Sequence, residues 1–473
     1  MWGRWSGWPS SWIWSSLPRE SCLPAASFAG RRFHRWAAQV TGEQIEEAQI
    51  EIARAAVRRF QLSAGVLAFD TTNFDTHIAP TTTGELARRG HAKSKRKDLR
   101  VAGLALLVSE TGHVPLLHRT CPGNGSDQAV LGSCLDGLGQ LHDALDDAEQ
   151  RGRPGCRTLV RDGGSWSEQL ELDLDAGGHG WLISLPLSQG ASEAALAHAA
   201  RRGAMKPLGG KLGDVRAVRM RARVGELDRT LVVVDSQELL RGQKRGIALA
   251  LCKAKEELRR LERRTAGGRI RREALEERVQ KALRREHLSE FVVAEVQERG
   301  GKVSLHWHVD AARRRLLERT RLGRRVLCTD RHAGSTGRIV HAFRGQWNVE
   351  ELFRRGKQGG VAPWGPFHQG ADGSVRLHTF ATVIGLALVS LARVALGGAK
   401  PARGMMRELA GIEATMVQVC AKGRGRRATV LLAPDLTAAQ RKAVEIFDLA
   451  NWMPILSSRT SSAPNPSAAE RVA

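Results

Sequence analysis

The sequence predicts an α/β protein, a mixed sheet flanked by helices and interrupted by a large insertion of strands and long charged helices. Three observations predict it. Short apolar runs that end on carboxylates, at Val66 to Asp70 and at Thr158 to Asp162, read as strands, with helical periodicity between and around them. From about residue 190 to 320 this rhythm breaks, and a long charged helical segment dominates. From Val326 the earlier strand-and-helix alternation resumes, so one folding unit is split by another.

Taken in order, residues 1–40 form a Trp-rich start whose Pro and Ser break any apolar core region, which excludes a signal peptide and predicts disorder or a non-native start. Thr41 and Gln44 have capping-box spacing, and Ile45, Ala48, Ile52 and Ala56 then share one face, so 41–61 holds a helix running to about Phe60. The first core block, 62–190, opens with the strand at Val66 and continues through a basic stretch (Arg88, Arg89, Lys93, Lys95, Arg96, Lys97). Strands at Leu99 to Val108 and Val114 to Arg119 follow, joined by a Glu-Thr-Gly turn. Cys121 to Asp127 is a loop, with Ser126 placed to cap the next helix. A strand runs into Arg161-Asp162-Gly163-Gly164, followed by a helix from about Ser165 and a strand at Trp181 to Leu185.

The insertion, 191–324, carries strand-like runs at Val215–Val224, Thr230 to Val234, Phe291 to Val296 and Val303 to Val309. Around them lies a charged helix from Glu238 to about Glu286, with Leu251, Leu258 and Leu261 as a packing seam and Gly267-Gly268 as its break. The second core block, 325–395, holds a strand at Val326 to Thr329, a helix from about Ser335 through Lys357, and an apolar run from Thr379 to Ala392. That run is shorter than the roughly 20 residues a bilayer requires, so a buried core helix is expected and no membrane partner. A helical region, 396–455, and a disordered tail, 456–473, close the chain.

Composition narrows function. Lys and Arg exceed Asp and Glu to give a net charge of +24, with a pI near 10.8. A surface so charged attracts polyanions, because each phosphate it neutralises releases condensed counterions. Seven scattered Cys without a CxxC pair exclude a disulfide or zinc scaffold and predict a cytoplasmic, nucleoid-associated protein.

Three carboxylates stand out. Asp70 and Asp162 end two apolar strands and Glu350 lies in a helix after a third, and burying an isolated charge is costly unless it is paired or bound to a metal. Converging, they would make a hard oxygen site suited to Mg²⁺ or Mn²⁺, two of which can serve the attacking and leaving oxygens of a phosphate. The element order, with Asp on the first and fourth strands and a later helix bringing the third acid, fits a ribonuclease-H-like sheet in which those two strands are neighbours. Asp162 as a turn residue, and Glu351 in place of Glu350, remain alternatives.

The segments LAFDTTNF (67–74), PGNGSD (122–127), VRDGGSWSE (160–168), LCTDR (327–331) and FRGQWNVEELFRRGK (343–357) resemble bacterial insertion-sequence DDE transposases with a Tyr–Arg–Glu–Lys signature. The signature frame falls on Phe343, Gln346, Glu350 and Lys357, so the Glu and Lys match while the Tyr and Arg are replaced. The resemblance spans roughly residues 40 to 455. It implies a cut-and-paste DNA transposase: cleavage at transposon ends, then transfer of the 3′-hydroxyl to target DNA by a homodimer. Asp70, Asp162 and Glu350 would be the catalytic, metal-holding acids. Lys357, with Phe343, Arg344, Gln346 and Arg354, would contact DNA. Family members also carry a helical end-recognition domain before the first strand, so a chain truncated at its N-terminus is expected. A catalytically impaired DNA-binding remnant and a nuclease on the same fold are the alternatives.

The remaining chemical residues have plainer readings. His306 and His308 are expected as a surface pair, His378 as a packed or capping histidine, and Trp166 and Trp307 as core residues. The run from Arg313 to Arg325 is either a solvated face or a track for a DNA backbone.

Overall fold

The computed structural model describes residues 35–148, 157–201, 203–266, 270–299, 302–357, 367–398, 400–413, 415–419, 428–432 and 434–452. The Trp-rich start up to residue 34, the Gly267-Gly268 break and the 456–473 tail lie outside them. Local signals translate directly into elements at the front of the chain. The Thr41–Gln44 capping box forms in both directions and starts α1 (Gly42–Phe60). Then follow β1 (Val66–Thr76), β2 (Arg100–Ser109), β3 (Pro115–Pro122), α2 (Asp127–Gly132), capped by Ser126 as expected, and α3 (Leu135–Ala148). Next come β4 (Thr158–Arg161), α4 (Glu168–Ala176), β5 (Gly180–Leu185), α5 (Gly190–Ala199), β6 (Lys206–Pro207), β7 (Val215–Val224) and β8 (Leu227–Ser236). The middle of the chain gives α6 (Gln237–Ala266), α7 (Arg272–Leu283), α8 (Leu288–Phe291), β9 (Val292–Arg299), β10 (Lys302–Val309) and α9 (Ala311–Thr320). The last third holds β11 (Arg324–Thr329), α10 (Thr336–Arg344), α11 (Trp347–Lys357), α12 (Asp372–Ala395) and α13 (Ala402–Ala410). A hairpin, β12 (Thr415–Val419) with β13 (Ala428–Leu432), then interrupts a region expected to be helical, before α14 (Ala438–Ile446) and α15 (Leu449–Trp452).

The main sheet is mixed, with nine strands in the order β3-β2-β1-β4-β5-β11-β8-β7-β6. β1 is parallel to β4 and β4 to β5, whereas β2–β3 and the pairs on both sides of β11 are antiparallel. The first and fourth strands are therefore neighbours, as expected for a ribonuclease-H-like sheet, with which this mixed, helix-flanked sheet is consistent.

The chain divides into two compact units, and β1 runs through both. One comprises Met1–Ala64, Asp70–Gly155 and Asn348–Ala473. Here α1 lies on β3 and α3, and α12 lies on β3 and α1. A buried polar link joins α1 to β3: the His118 amide donates to Gln49 Oε1 (2.7 Å), the His118 ring Nδ1 meets the same oxygen, and Gln49 Nε2 donates to the His118 carbonyl (3.3 Å). The apolar helix corrects an expectation. α12 has 24 residues rather than the span from Thr379 to Ala392, so by length and composition it could cross a membrane. Its placement speaks for a core helix instead, because Val375, Thr379, Val383, Leu386 and Ala387 are buried and the Thr379 hydroxyl is satisfied by the Val375 carbonyl (2.8 Å).

The second unit comprises Gly65–Phe69 and Cys156–Trp347. Val160, Leu182, Val232 and Leu327 from its strands pack with Ile339, Val340 and Phe343 of α10 into one core cluster. The stretch expected as a separate insertion is divided here. β7 and β8 continue the main sheet through β11, because β8 pairs with β11 from Thr230 to Asp235. Residues from Ile247 to Leu322 gather around another core, in which the expected seam of Leu251, Leu258 and Leu261 is buried with Leu275, Phe291 and Leu305.

Candidate active site

The site begins where β1 stops being apolar, at Asp70, from which the strand belongs to the first unit. Leu67, Ala68 and Phe69 are buried, and Asp70 follows half-buried with its Oδ1 accepting from the Thr71 amide (2.7 Å). Thr71 and Thr72 are buried, so their hydroxyls must find partners. The Thr71 hydroxyl donates to Asp127 Oδ1, which ties the PGNGSD loop to β1. Gly123 lets that loop lie against β2, since a Cβ there would fall 1.8 Å from the Val101 carbonyl oxygen. Thr72 Oγ1 accepts from Lys357 Nζ (2.6 Å), the last residue of α11. The Glu–Lys half of the signature is thereby fastened two residues from Asp70. The Lys357 ammonium is held down to about 8, first by burial and then by repulsion from Lys93, with Asp75 and Asp70 pulling the other way.

The expected single helix from Ser335 to Lys357 is broken at Gly345, whose amide closes α10, and α11 starts afresh at Trp347. Glu350 and Lys357 nevertheless share α11 and stand two turns apart. The two adjacent acids differ. Glu351 is half-buried and bound to Arg354 and to Arg355 Nε (3.1 Å), whereas Glu350 is exposed in the first turn, without a hydrogen bond or ion pair among the described residues. Glu350 is thus the one left available to a ligand.

In the second unit, Asp162 follows β4 and caps a 3-10 turn over Gly163–Ser165, its Oδ1 accepting from the Gly163 amide (2.8 Å). Gly163 is required there, because a Cβ would meet the Ser184 carbonyl at 2.4 Å. Asp162 is exposed, so the structure has it as a turn residue with an accessible carboxylate. Within this unit β4, which leads into Asp162, pairs through Val160 with Ala68.

The turn is buttressed by a residue that sequence reading passed over. Arg161 is fully buried, donates through Nη1 to the Ser165 carbonyl (3.0 Å), and grips both oxygens of Glu171 through Nη2. Ser165 Oγ in turn donates to the Asp162 carbonyl (2.8 Å). Burial pushes the Glu171 carboxyl up, against the pull of Arg161 and Arg229. Arg229 and Asp175 form a second pair, and both Arg161 and Arg229 lie over the ring of buried Trp181. The available signal was an Arg in an otherwise apolar strand with a Glu on the following helix.

The remaining expected DNA-contact residues are placed differently from one another. Phe343 is buried in the α10 core with the Arg325 guanidinium 5.6 Å from its ring centre, so its face is taken by protein and no exposed ring is offered to DNA. Arg344 is exposed and forms a two-pronged pair with Asp214 (3.0 and 3.2 Å). Gln346 is half-buried, and Arg354 reaches Glu351. His306 and His308 are exposed on β10 as expected, Trp307 packs against the second core, and His378 is half-buried beside Gln369 and Phe367.

The donor set of Asp70, Asp162 and Glu350 has the hard oxygens that Mg²⁺ or Mn²⁺ prefers. Among the described residues, however, no three His, Cys, Asp or Glu side chains are grouped closely enough to hold a metal ion.

No protein-family model matches the chain, and no curated protein does. Among solved structures, a cryo-EM piggyBac transposase synaptic complex with hairpin DNA is similar at a TM-score of 0.34 and 8% identity, over 84% of this chain. The similarity covers 55% of that chain, so this protein spans about half its length.

Proposed function

We propose that this protein is a DNA transposase of the DDE type, transferring phosphoryl groups at the ends of a mobile element and joining them to target DNA, with a second copy of itself as partner. The observation that carries the reading is the fastening of Lys357 to Thr72 beside Asp70, which ties the helix bearing Glu350 to the strand bearing the first acid. The composition supports a polyanionic substrate. In the first step a water oxygen attacks phosphorus at the element's end, a new P–O bond forms, and the 3′ oxygen departs as a hydroxyl. In the second that 3′-hydroxyl attacks a target phosphodiester and expels its 3′ oxygen. Lys357 would pair with phosphate oxygens, and Arg344, Gln346 and Arg354 would extend that contact. Asp70, Asp162 and Glu350 would be the site's acids and would hold the Mg²⁺ or Mn²⁺ ions.

A supercoiled donor plasmid carrying the element's ends tests the reading, with Mg²⁺ omitted, added or replaced. Asp70→Ala and Glu350→Ala are expected to lower excision and joining by about 10²–10³-fold or more, the scale of losing one electrostatic stabiliser of a transition state. Excision equal to the parent's in either variant, or undiminished by chelator, would refute the assignment.

A second reading is DNA binding without catalysis, for which the net charge of +24 suffices. It requires tight DNA binding with no metal-dependent cleavage. Cleavage without joining would point to a nuclease.

A further inference from the structure

The loop around Lys93 is stapled to β1. Asn73 Nδ2 donates to the His91 carbonyl (2.9 Å), and the Lys93 amide donates to Asn73 Oδ1 (3.0 Å). This reciprocal pair delivers the Lys93 ammonium to the Thr71 carbonyl at 2.6 Å. On the next residue of the strand, Thr72 receives Lys357, also at 2.6 Å. Two cations from distant parts of the sequence are therefore held on consecutive residues of β1, close enough to repel one another. Asp75 and Asp70 each pull the other way, each less strongly than Lys93 repels, and among the described residues neither ammonium is in an ion pair. An ammonium carries three donors, and the contacts described use one on each lysine. Like charges kept together without a direct ion-pair partner are unfavourable, and an anion accepting from both is the occupant that relieves them.

We propose that Lys93 and Lys357 jointly grip one backbone phosphate of DNA at the end of β1, next to Asp70. The proposal rests on the DNA reading above and adds Lys93, which lies far from the signature in sequence. A free phosphate ion offers the same oxygens. Arg88, Arg89, Lys95 and Lys97 flank Lys93 in the sequence and favour a polyanion, which they can follow beyond one phosphate.

Lysine acylation footprinting on the full chain tests the grip without needing catalysis. With mixed-sequence duplex DNA bound, Lys93 and Lys357 are expected to be protected together, and Lys357→Gln to reduce the protection of Lys93. Lys93→Gln is expected to weaken duplex binding about tenfold or more, the scale of a lost charge-assisted bond, with Lys93→Arg restoring most of it. The two Gln substitutions combined should depart from the product of their separate effects, because the groups share one partner. Equal acylation of Lys93 with and without DNA, or unchanged affinity in a folded Lys93→Gln protein, overturns the proposal. Protection by inorganic phosphate but not by duplex assigns the pair to a free anion and also overturns it. The two readings fail separately. Protected lysines in a protein that never cuts DNA would leave the grip standing and end the transposase assignment. Normal excision by a Lys93→Gln protein whose duplex affinity is unchanged would do the reverse.

Discussion

At the scale of single residues, two side chains carry most of the consequence. Lys357 loses its proton at about 8, well below the ordinary lysine range of roughly 10.4. The phosphate grip proposed for it would therefore be present below that pH and fade as pH rises through it. Duplex affinity measured by anisotropy is expected to show an inflection near 8 that Lys357→Arg removes; a profile identical in the two proteins would count against Lys357 as the contact. The same shift has a stability sign. The folded chain releases this proton before the unfolded one does, so Lys357 costs stability below about 8, and that cost disappears as pH rises toward about 10.4. Arg161 acts differently, since it and Glu171 are a buried pair with no water to fall back on. Arg161→Met alone strands the Glu171 carboxylate and is expected to cost about 3–5 kcal/mol, whereas Arg161→Met with Glu171→Leu should recover most of the loss. Urea denaturation of the two variants checks this, and equal losses would mean that the pair is not coupled. Loss of the Ser165 contact should also loosen the Asp162 turn.

Among the elements, the polar link between α1 and β3 gives a clear acid response. His118 is wholly buried, and burial alone pushes it down to about 3. Its folded pKa lies below the unfolded value of roughly 6.5, so its contribution is fully present above 6.5 and is lost as pH falls toward 3. Removing its partner by Gln49→Ala leaves the His118 amide and ring nitrogen without an acceptor, and is expected to cost about 1–3 kcal/mol in thermal or urea unfolding at pH 7. No loss at all would mean that water enters the site. Elements of this kind also show what was legible beforehand. The Thr41–Gln44 box and the Ser126 cap were readable because their signals lie within three residues of one another. The break at Gly345 was not, because helical periodicity in the apolar residues passes over it. Nor was the full length of α12, whose first turns are polar in composition and become helical by packing on their neighbours. The docking of Lys93 and the Arg161–Glu171 pair depend on side-chain placement across the fold, which periodicity does not encode. The burial of Phe343 in the α10 core was likewise not readable from its place in the signature frame.

For the whole molecule, the surplus of 24 positive charges would set how the proposed DNA substrate is first met. Affinity for duplex of arbitrary sequence is expected to fall linearly on a log–log plot against salt, with a slope of about −0.9 for each phosphate neutralised. An affinity unchanged between low and moderate salt would show that this charge does not meet the DNA backbone. The strand order carries a further consequence, for synthesis in the cell. β5 finds its antiparallel partner in β11, where Val326 pairs with Leu185 about 140 residues later in the chain. At a translation rate of roughly 5–20 residues per second, that edge of β5 waits on the order of 10 s for its neighbour to leave the ribosome. During that interval an apolar strand, Trp181 to Leu185, has unpaired backbone on the side that β11 will occupy. The yield of folded protein should then depend on how fast the chain is made, with slower synthesis lengthening the time in which β5 can pair with the wrong chain.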